Sequence, residues 1–200
     1  MRNLLTLNPL AVSPLAVGPL AAVLATAALS LCGCSPAPAD IAKAISSENP
    51  VMREDGAKIA QNYDDPLVWD ALVLTLKDSS QKTKLNAIES LASTEAKPAG
   101  PQLIDVLNTD ADPRVKRAAA DALGRLCVME SAPALVAYLS SFEANDREQL
   151  AGIWALGNLG AQGLEAESKK IALETLVQKR EGTTDRYILY SANYALRTLR

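Results

Sequence analysis

Between Asp112 and Leu126 the apolar residues Val115, Ala119, Ala122 and Leu126 recur at i, i+4, i+7 and i+11, with charged residues between them. That spacing puts them on one face of an α-helix. Asp112-Pro113 is a good opening, because the aspartate can accept from free backbone N–H groups and the proline ring suits the first helical position. The face is made of small residues, and one such helix cannot bury itself alone. The pattern returns along the chain. With Leu123 as anchor, Leu91 lies 32 residues earlier and Leu156 lies 33 later; Leu196 follows after another 40, and Ile59 lies 32 before Leu91. The residue four before the anchor is Ala87, Ala119, Gly152 or Ala192, and the residue just before it is Ser90, Ala122, Ala155 or Ala195. Around Ile59 the same places hold Asp55 and Lys58. A period in the thirties with two helical patterns per unit predicts an all-α chain stacked as an α-solenoid.

The pattern predicts helices over about 40–47 and 50–62, then one starting at Asp64-Asp65-Pro66 with Leu67, Ala71, Leu74 and Val73 facing inwards. Further helices are predicted at about 81–93, 98–108, 112–126, 131–141 and 146–159. A longer, charged helix follows at about 164–180, and Thr183-Thr184-Asp185 caps the last one, which runs on towards Arg200 with no capping unit after it. In each second helix the anchor and the positions 8, 4 and 1 before it and 3 after it form the core stripe. Positions 9, 6 and 2 before it and 2 after it point away from that stripe. These open columns read Lys82, Arg114, Arg147, Tyr187; then Leu85, Arg117, Leu150, Tyr190; then Glu89, Asp121, Trp154, Tyr194; and finally Ser93, Arg125, Asn158, Thr198.

Composition adds exclusions. The chain has 200 residues, 48 % hydrophobic but only 4 % aromatic, which suits an alanine-rich helical stack better than a sheet. A formal charge of −3 gives no global basic character of the kind that marks nucleic-acid binding. Histidine is absent, removing the commonest neutral-pH acid/base group and metal ligand.

Asp112-Pro113, Val115-Lys116, Ala119, Ala122-Leu123-Gly124 and Ser131-Ala132-Pro133-Ala134-Leu135-Val136 together resemble HEAT repeats of the phycobilisome-lyase-like type. The resemblance is close over about 97–160 and looser over 64–96 and 161–200, while 41–63 resembles a degenerate cap. It departs where the usual Val-Arg pair is Thr83-Lys84, Glu148-Gln149 or Ile188-Leu189. The resemblance implies a right-handed α-solenoid of about four HEAT-type helix pairs over 41–200, plus an N-terminal helical cap, with the open columns lining its concave surface. It implies no particular activity, since these repeats carry many functions.

The first 33 residues read as a targeting segment: Arg2 is the only charge before Asp40, and the apolar run Ala21–Leu31 is too short to favour a spanning helix. Leu31-Cys32-Gly33-Cys34 resembles a bacterial lipobox, which implies cleavage after Gly33 and diacylation of Cys34; an ordinary secretory signal is the alternative. Residues 34–40 are then a lipidated cysteine and a Pro/Ala tether. Ser35 after the cysteine goes, in Gram-negative lipoproteins, with the periplasmic face of the outer membrane; in other cells the anchor implies the outer face of the cell membrane. Cys127 is left without an intrachain disulfide partner and reads as a small buried hydrophobe.

The candidate binding residues are Arg114, Arg117, Arg125, Arg147, Leu150, Trp154, Tyr187, Tyr190 and Tyr194, a face basic in its middle and aromatic towards the C-terminus. Trp, Tyr and Arg are the types enriched at binding hot spots. The alternative for the tyrosines is packing against the long charged helix or over the open end of the stack, and Trp154 is expected to be at least partly buried. The expected role is a non-catalytic scaffold for an envelope protein partner. The alternatives are a small assembly subunit that docks through the uncapped C-terminal end and a lyase-type enzyme. A HEAT-type metal hydroxylase needs His-Glu ligands that this chain lacks. No metal, cofactor, nucleic acid or small-molecule substrate is indicated, and oligomeric state is left open.

Overall fold

A computed structural model of the protein describes residues 35–199, and among these it forms ten α-helices and no strand. They are α1 (Pro38–Ile45), α2 (Pro50–Ile59), α3 (Pro66–Thr75), α4 (Gln81–Ser93) and α5 (Gly100–Thr109). After them come α6 (Pro113–Leu126), α7 (Ala132–Ser140), α8 (Leu150–Gln162), α9 (Ala166–Gly182) and α10 (Arg186–Thr198). The helices pair in chain order. The second helices α2, α4, α6, α8 and α10 each pack on the next, and the first helices lie behind them as an outer layer. The result is an α-solenoid, and the expected N-terminal cap is itself a helix pair, α1 with α2. No helix among the described residues is long and apolar enough to cross a membrane. The targeting segment and Cys34 lie outside the described residues.

Local sequence sets the boundaries. Asn49, Asp65, Ser80, Asp112, Asp146 and Asp185 each accept from a backbone N–H two or three residues on, satisfying donors that a helix start leaves free. At the other end, α4 and α6 have stopped by the fourth residue beyond their anchors, where Glu95 and Cys127 both take left-handed backbone with φ 53°. The next amides, Ala96 and Val128, donate to the carbonyls of Leu91 and Leu123.

The core stripe is as read in α4, α6 and α10: Thr83, Val115 and Ile188 are buried eight positions before their anchors. In the fourth pair the expected Glu148 is displaced. A 3-10 turn at Arg147–Gln149 shifts the phase by one residue, so Gln149 is fully buried and Glu148 turns outward. The Gln149 side chain donates to the carbonyls of Glu143 and Ala144 at 3.2 and 3.1 Å.

Two readings near the N-terminus are corrected. The anchor of α2 is Ala60, fully buried, not Ile59, which is 37 % exposed. Shifting the register by one puts Gly56 four before the anchor, where an added Cβ would sit 2.8 Å from the Ile45 amide nitrogen, so the exception at Asp55 disappears, while the place just before the anchor passes from Lys58 to the exposed Ile59. In α3 the core face is Val68, Ala71, Leu72 and Thr75, while Leu67 and Leu74 are exposed and Val73 is half-buried. The segment Pro66–Thr75 is apolar nearly all round, so periodicity alone fits either face.

Candidate protein-binding face

The open columns all belong to the second helices, whose stacking brings them onto one side of the inner layer. Close approach is built into that layer. Gly124, one after its anchor, leaves no room for a Cβ, which would lie 2.6 Å from the Cα of Ala155 on α8. Gly157 stands close to Ala195 on α10, where an added Cβ would lie 3.0 Å from the Ala195 Cβ.

The aromatic end is held by α10. Asn145 Oδ1 accepts from the Thr183 hydroxyl at 2.8 Å and from the Thr184 amide at 2.9 Å, fixing the turn before that helix. Asp185 then caps it through the amides of Tyr187 and Ile188, and its other oxygen accepts from Arg147 Nε at 2.8 Å. The bond from Arg147, opposed by burial and aided by the two amides, holds the Asp185 carboxyl below its usual range. One carboxylate therefore sets both the helix start and the guanidinium, which lies 4.7 Å from the Tyr187 ring centroid. Arg186 stands 5.0 Å from the same centroid and donates to the Tyr187 hydroxyl.

Ile188, Ala192, Ala195 and Leu199 take the core side of α10, leaving Tyr187, Tyr190 and Tyr194 exposed at 48, 68 and 40 %. They do not pack under α9. Trp154, 36 % exposed, lies against Tyr194 with ring centroids 4.8 Å apart. Leu150 is half-buried against the core, so among the expected binding residues it is mainly a packing residue.

The arginines differ from the sequence reading. Arg117 pairs with Glu148 at 3.2 Å, Arg125 with Glu89 at 2.9 Å and more distantly with Asp121, and Arg147 with Asp185. Lys82 pairs with Glu54 in the same manner. Each pair except Arg125–Asp121 joins one helix pair to the next, so most of the apparent basic charge is neutralised within the face. Arg114 is exposed and makes no ion pair among the described residues. Between Arg114, Arg117, Asp121 and Arg125 lies a 380 Å³ depression with Ala118 and Ala122 in its lining. Partial burial there raises the Asp121 carboxyl, Glu89 adding to the rise and the arginines opposing it. The pairing of these arginines with acidic side chains, and the place of Arg186 beside Tyr187, were missed in the sequence. Only Glu89 gave a signal, standing in the column next to that of Arg125 one repeat earlier; Glu148 read as a core position and Asp185 as a helix cap.

A larger depression of 760 Å³ lies between α3 and α5, with Leu74 and Val106 on its walls. Lys84 and Asp110, 2.5 Å apart and largely buried, line it as a strut between the second and third pairs. Cys127 is half-buried at the end of α6, its thiol 3.7 Å from the Gly124 carbonyl oxygen.

Stacked helix pairs with one open, aromatic-lined face define a helical-repeat protein. The sequence matches the HEAT repeats model over residues 69–157 and 100–197, and the chain belongs to that family. Among solved structures it is similar to the complex of CpcE and CpcF of phycocyanin lyase from Nostoc sp. PCC7120, with a TM-score of 0.70 and 23 % identity. That match covers 84 % of this chain and 66 % of the other, so the chain spans just under two thirds of the lyase chain's length. An engineered protein is similar at a TM-score of 0.63 and 21 % identity, over 81 % of this chain and 78 % of its own. No curated protein matches the sequence.

Proposed function

We propose that this chain is a lipid-anchored protein of the bacterial envelope that serves as a non-catalytic scaffold, binding a protein partner across the open face of its HEAT repeats. The observation that carries this reading is the group Trp154, Tyr187, Tyr190 and Tyr194, four rings left exposed although the same helices bury a separate stripe. Exposed aromatics clustered with arginine are the composition of binding hot spots. The anchor rests on the lipobox-like Leu31–Cys34 and the tether after it. The lyase likeness is one of fold, and a catalytic role would have to be built without histidine.

Docking through the C-terminal end of the stack, the competing assembly role, meets a polar surface. Ala57, Ile88, Ala120 and Ile153 are buried against the following helix three positions before their anchors, but the same place in α10 is the exposed Asn193. One after the anchor, where Ala92, Gly124 and Gly157 are buried, α10 has the exposed Arg197. The outer surface of α10 is therefore polar at two places where the second helices before it bury small or apolar residues.

Crosslinking and co-purification from native membranes test the scaffold. Tyr190→Ala removes a ring that is 68 % exposed, so it should cut partner recovery several-fold without moving the melting temperature. Undiminished recovery would count against the open face. Cys34→Ser should abolish lipid labelling and release the protein from the membrane fraction; persistent labelling would contradict the anchor.

A further inference from the structure

The aromatic end of the face has a hydrogen-bonding character as well as an apolar one. Trp69 donates to Thr94 and Tyr138 to the Glu148 carbonyl, so those two aromatic donors are used internally. Trp154 Nε1 and the hydroxyls of Tyr190 and Tyr194 have no such partner among the described residues, and all three side chains are exposed. Arg147 and Arg186 add further N–H groups around Tyr187. Beside Arg147 and Arg186 around Tyr187 stands the carboxylate of Asp185, which is already committed to Arg147 and two amides. The surface is thus flat-ringed and rich in donors, and around Tyr187 two guanidinium groups stand against one carboxylate.

We infer that this aromatic end takes an extended, proline-rich segment of the partner protein carrying an adjacent acidic residue; the inference rests on the scaffold reading above. Proline has no N–H, and a polyproline II chain makes no internal hydrogen bonds, so such a segment presents carbonyl acceptors and almost no donors. That is the complement of Trp154, Tyr190 and Tyr194. Helical partners would satisfy their own backbone and need an aliphatic groove, whereas the aliphatic residues in these columns, Leu85 and Leu150, are half-buried. Spacing agrees as well. Tyr187, Tyr190 and Tyr194 lie on one helix face across about 10.5 Å at the usual helical rise. One polyproline II turn of three residues spans about 9.3 Å. Tyr187 and Tyr194 are therefore set about one turn of such a segment apart, with Trp154 and Tyr194 as the wall at one end and Arg147 and Arg186 placed for the carboxylate at the other. A segment already extended in solution loses little entropy on docking.

Fluorescence anisotropy of the full chain with a labelled Pro-Pro-Glu-Pro-Pro-Ala-Pro-Pro-Pro peptide tests this, against a Gly/Ser peptide of equal length and charge. The proline peptide should bind saturably, and the control at least about ten-fold more weakly. Tyr190→Ala and Trp154→Ala should each weaken binding about five-fold or more, the loss shown by the minority of interface residues that carry binding. Tyr190→Phe, which keeps the ring and loses the donor, should fall between wild type and Tyr190→Ala. Leu74→Ala, outside the inner layer, should change nothing. Equal binding of the two peptides, no saturable binding of the proline peptide, or full affinity in Tyr190→Ala would each overturn the inference. If Tyr190→Ala still lost the native partner while the proline peptide failed to bind, the scaffold would stand and this inference alone would fall.

Discussion

A Cβ at Gly124 would meet the backbone of Ala155, not the movable tip of a side chain, so α6 and α8 would have to separate. Overpacking of this kind costs about 1–3 kcal/mol. Gly124→Ala should accordingly lower the melting temperature by several degrees, at about 2–4 °C per kcal/mol for a chain of this size. A thermal melt showing no change would mean that the inner layer is slack. At Asp185 one side chain serves two purposes, capping α10 and orienting Arg147 beneath Tyr187. That double duty was not legible in the sequence, where Thr183-Thr184-Asp185 read only as a helix start, because its partner lies 38 residues away.

Among elements, the second helices were the readable ones, because each alternates a small-residue stripe with charged or aromatic columns and opens on a capping residue. α2 was placed one residue out of register. Ile59 is the only large aliphatic near the expected position, and size was mistaken for burial where Gly56 and Ala60 make the contact. In α3 two apolar faces compete and periodicity cannot choose; packing against α1 and α4 does. The choice has a measurable consequence. Leu72→Ala should cost about 2–5 kcal/mol, as for other fully buried leucines. Leu74→Ala, at a residue 73 % exposed, should cost well under 1 kcal/mol. Chemical denaturation of the two variants separates the faces, and equal losses would contradict the packing found here. The candidate site was legible in part: its columns could be read from the pattern, which left open whether the tyrosines would be exposed or packed. The neutralisation of Arg117, Arg125 and Arg147 could not, since it depends on how adjacent repeats are offset.

At the scale of the whole molecule, ion pairs tie successive helix pairs together, and several leave their mark on titration. Arg53 hydrogen-bonds to Asp78 and holds its carboxyl low against the opposing effect of burial. Burial pushes Asp110 up, but the bond from Lys84 and the Asp112 amide outweigh it, so this carboxyl is also lowered, as is Asp185. A carboxyl lowered in the folded state stabilises it above the ordinary value, here 3.8, and that contribution disappears as pH falls through the lowered value. Asp121, raised, acts with the opposite sign. Melting temperature should therefore fall as pH drops below 3.8, and Asp110→Asn should blunt the fall. An identical acid profile in that variant would remove the Lys84–Asp110 strut from the account. The polar end of α10 has a different kind of consequence. Repeats that stack head to tail use two unlike surfaces, and two unlike surfaces that fit one another across molecules propagate into open fibres. Asn193 and Arg197 withhold one of the two. Without that second surface, head-to-tail stacking of one copy on the next through α10 has no apolar contact to build on.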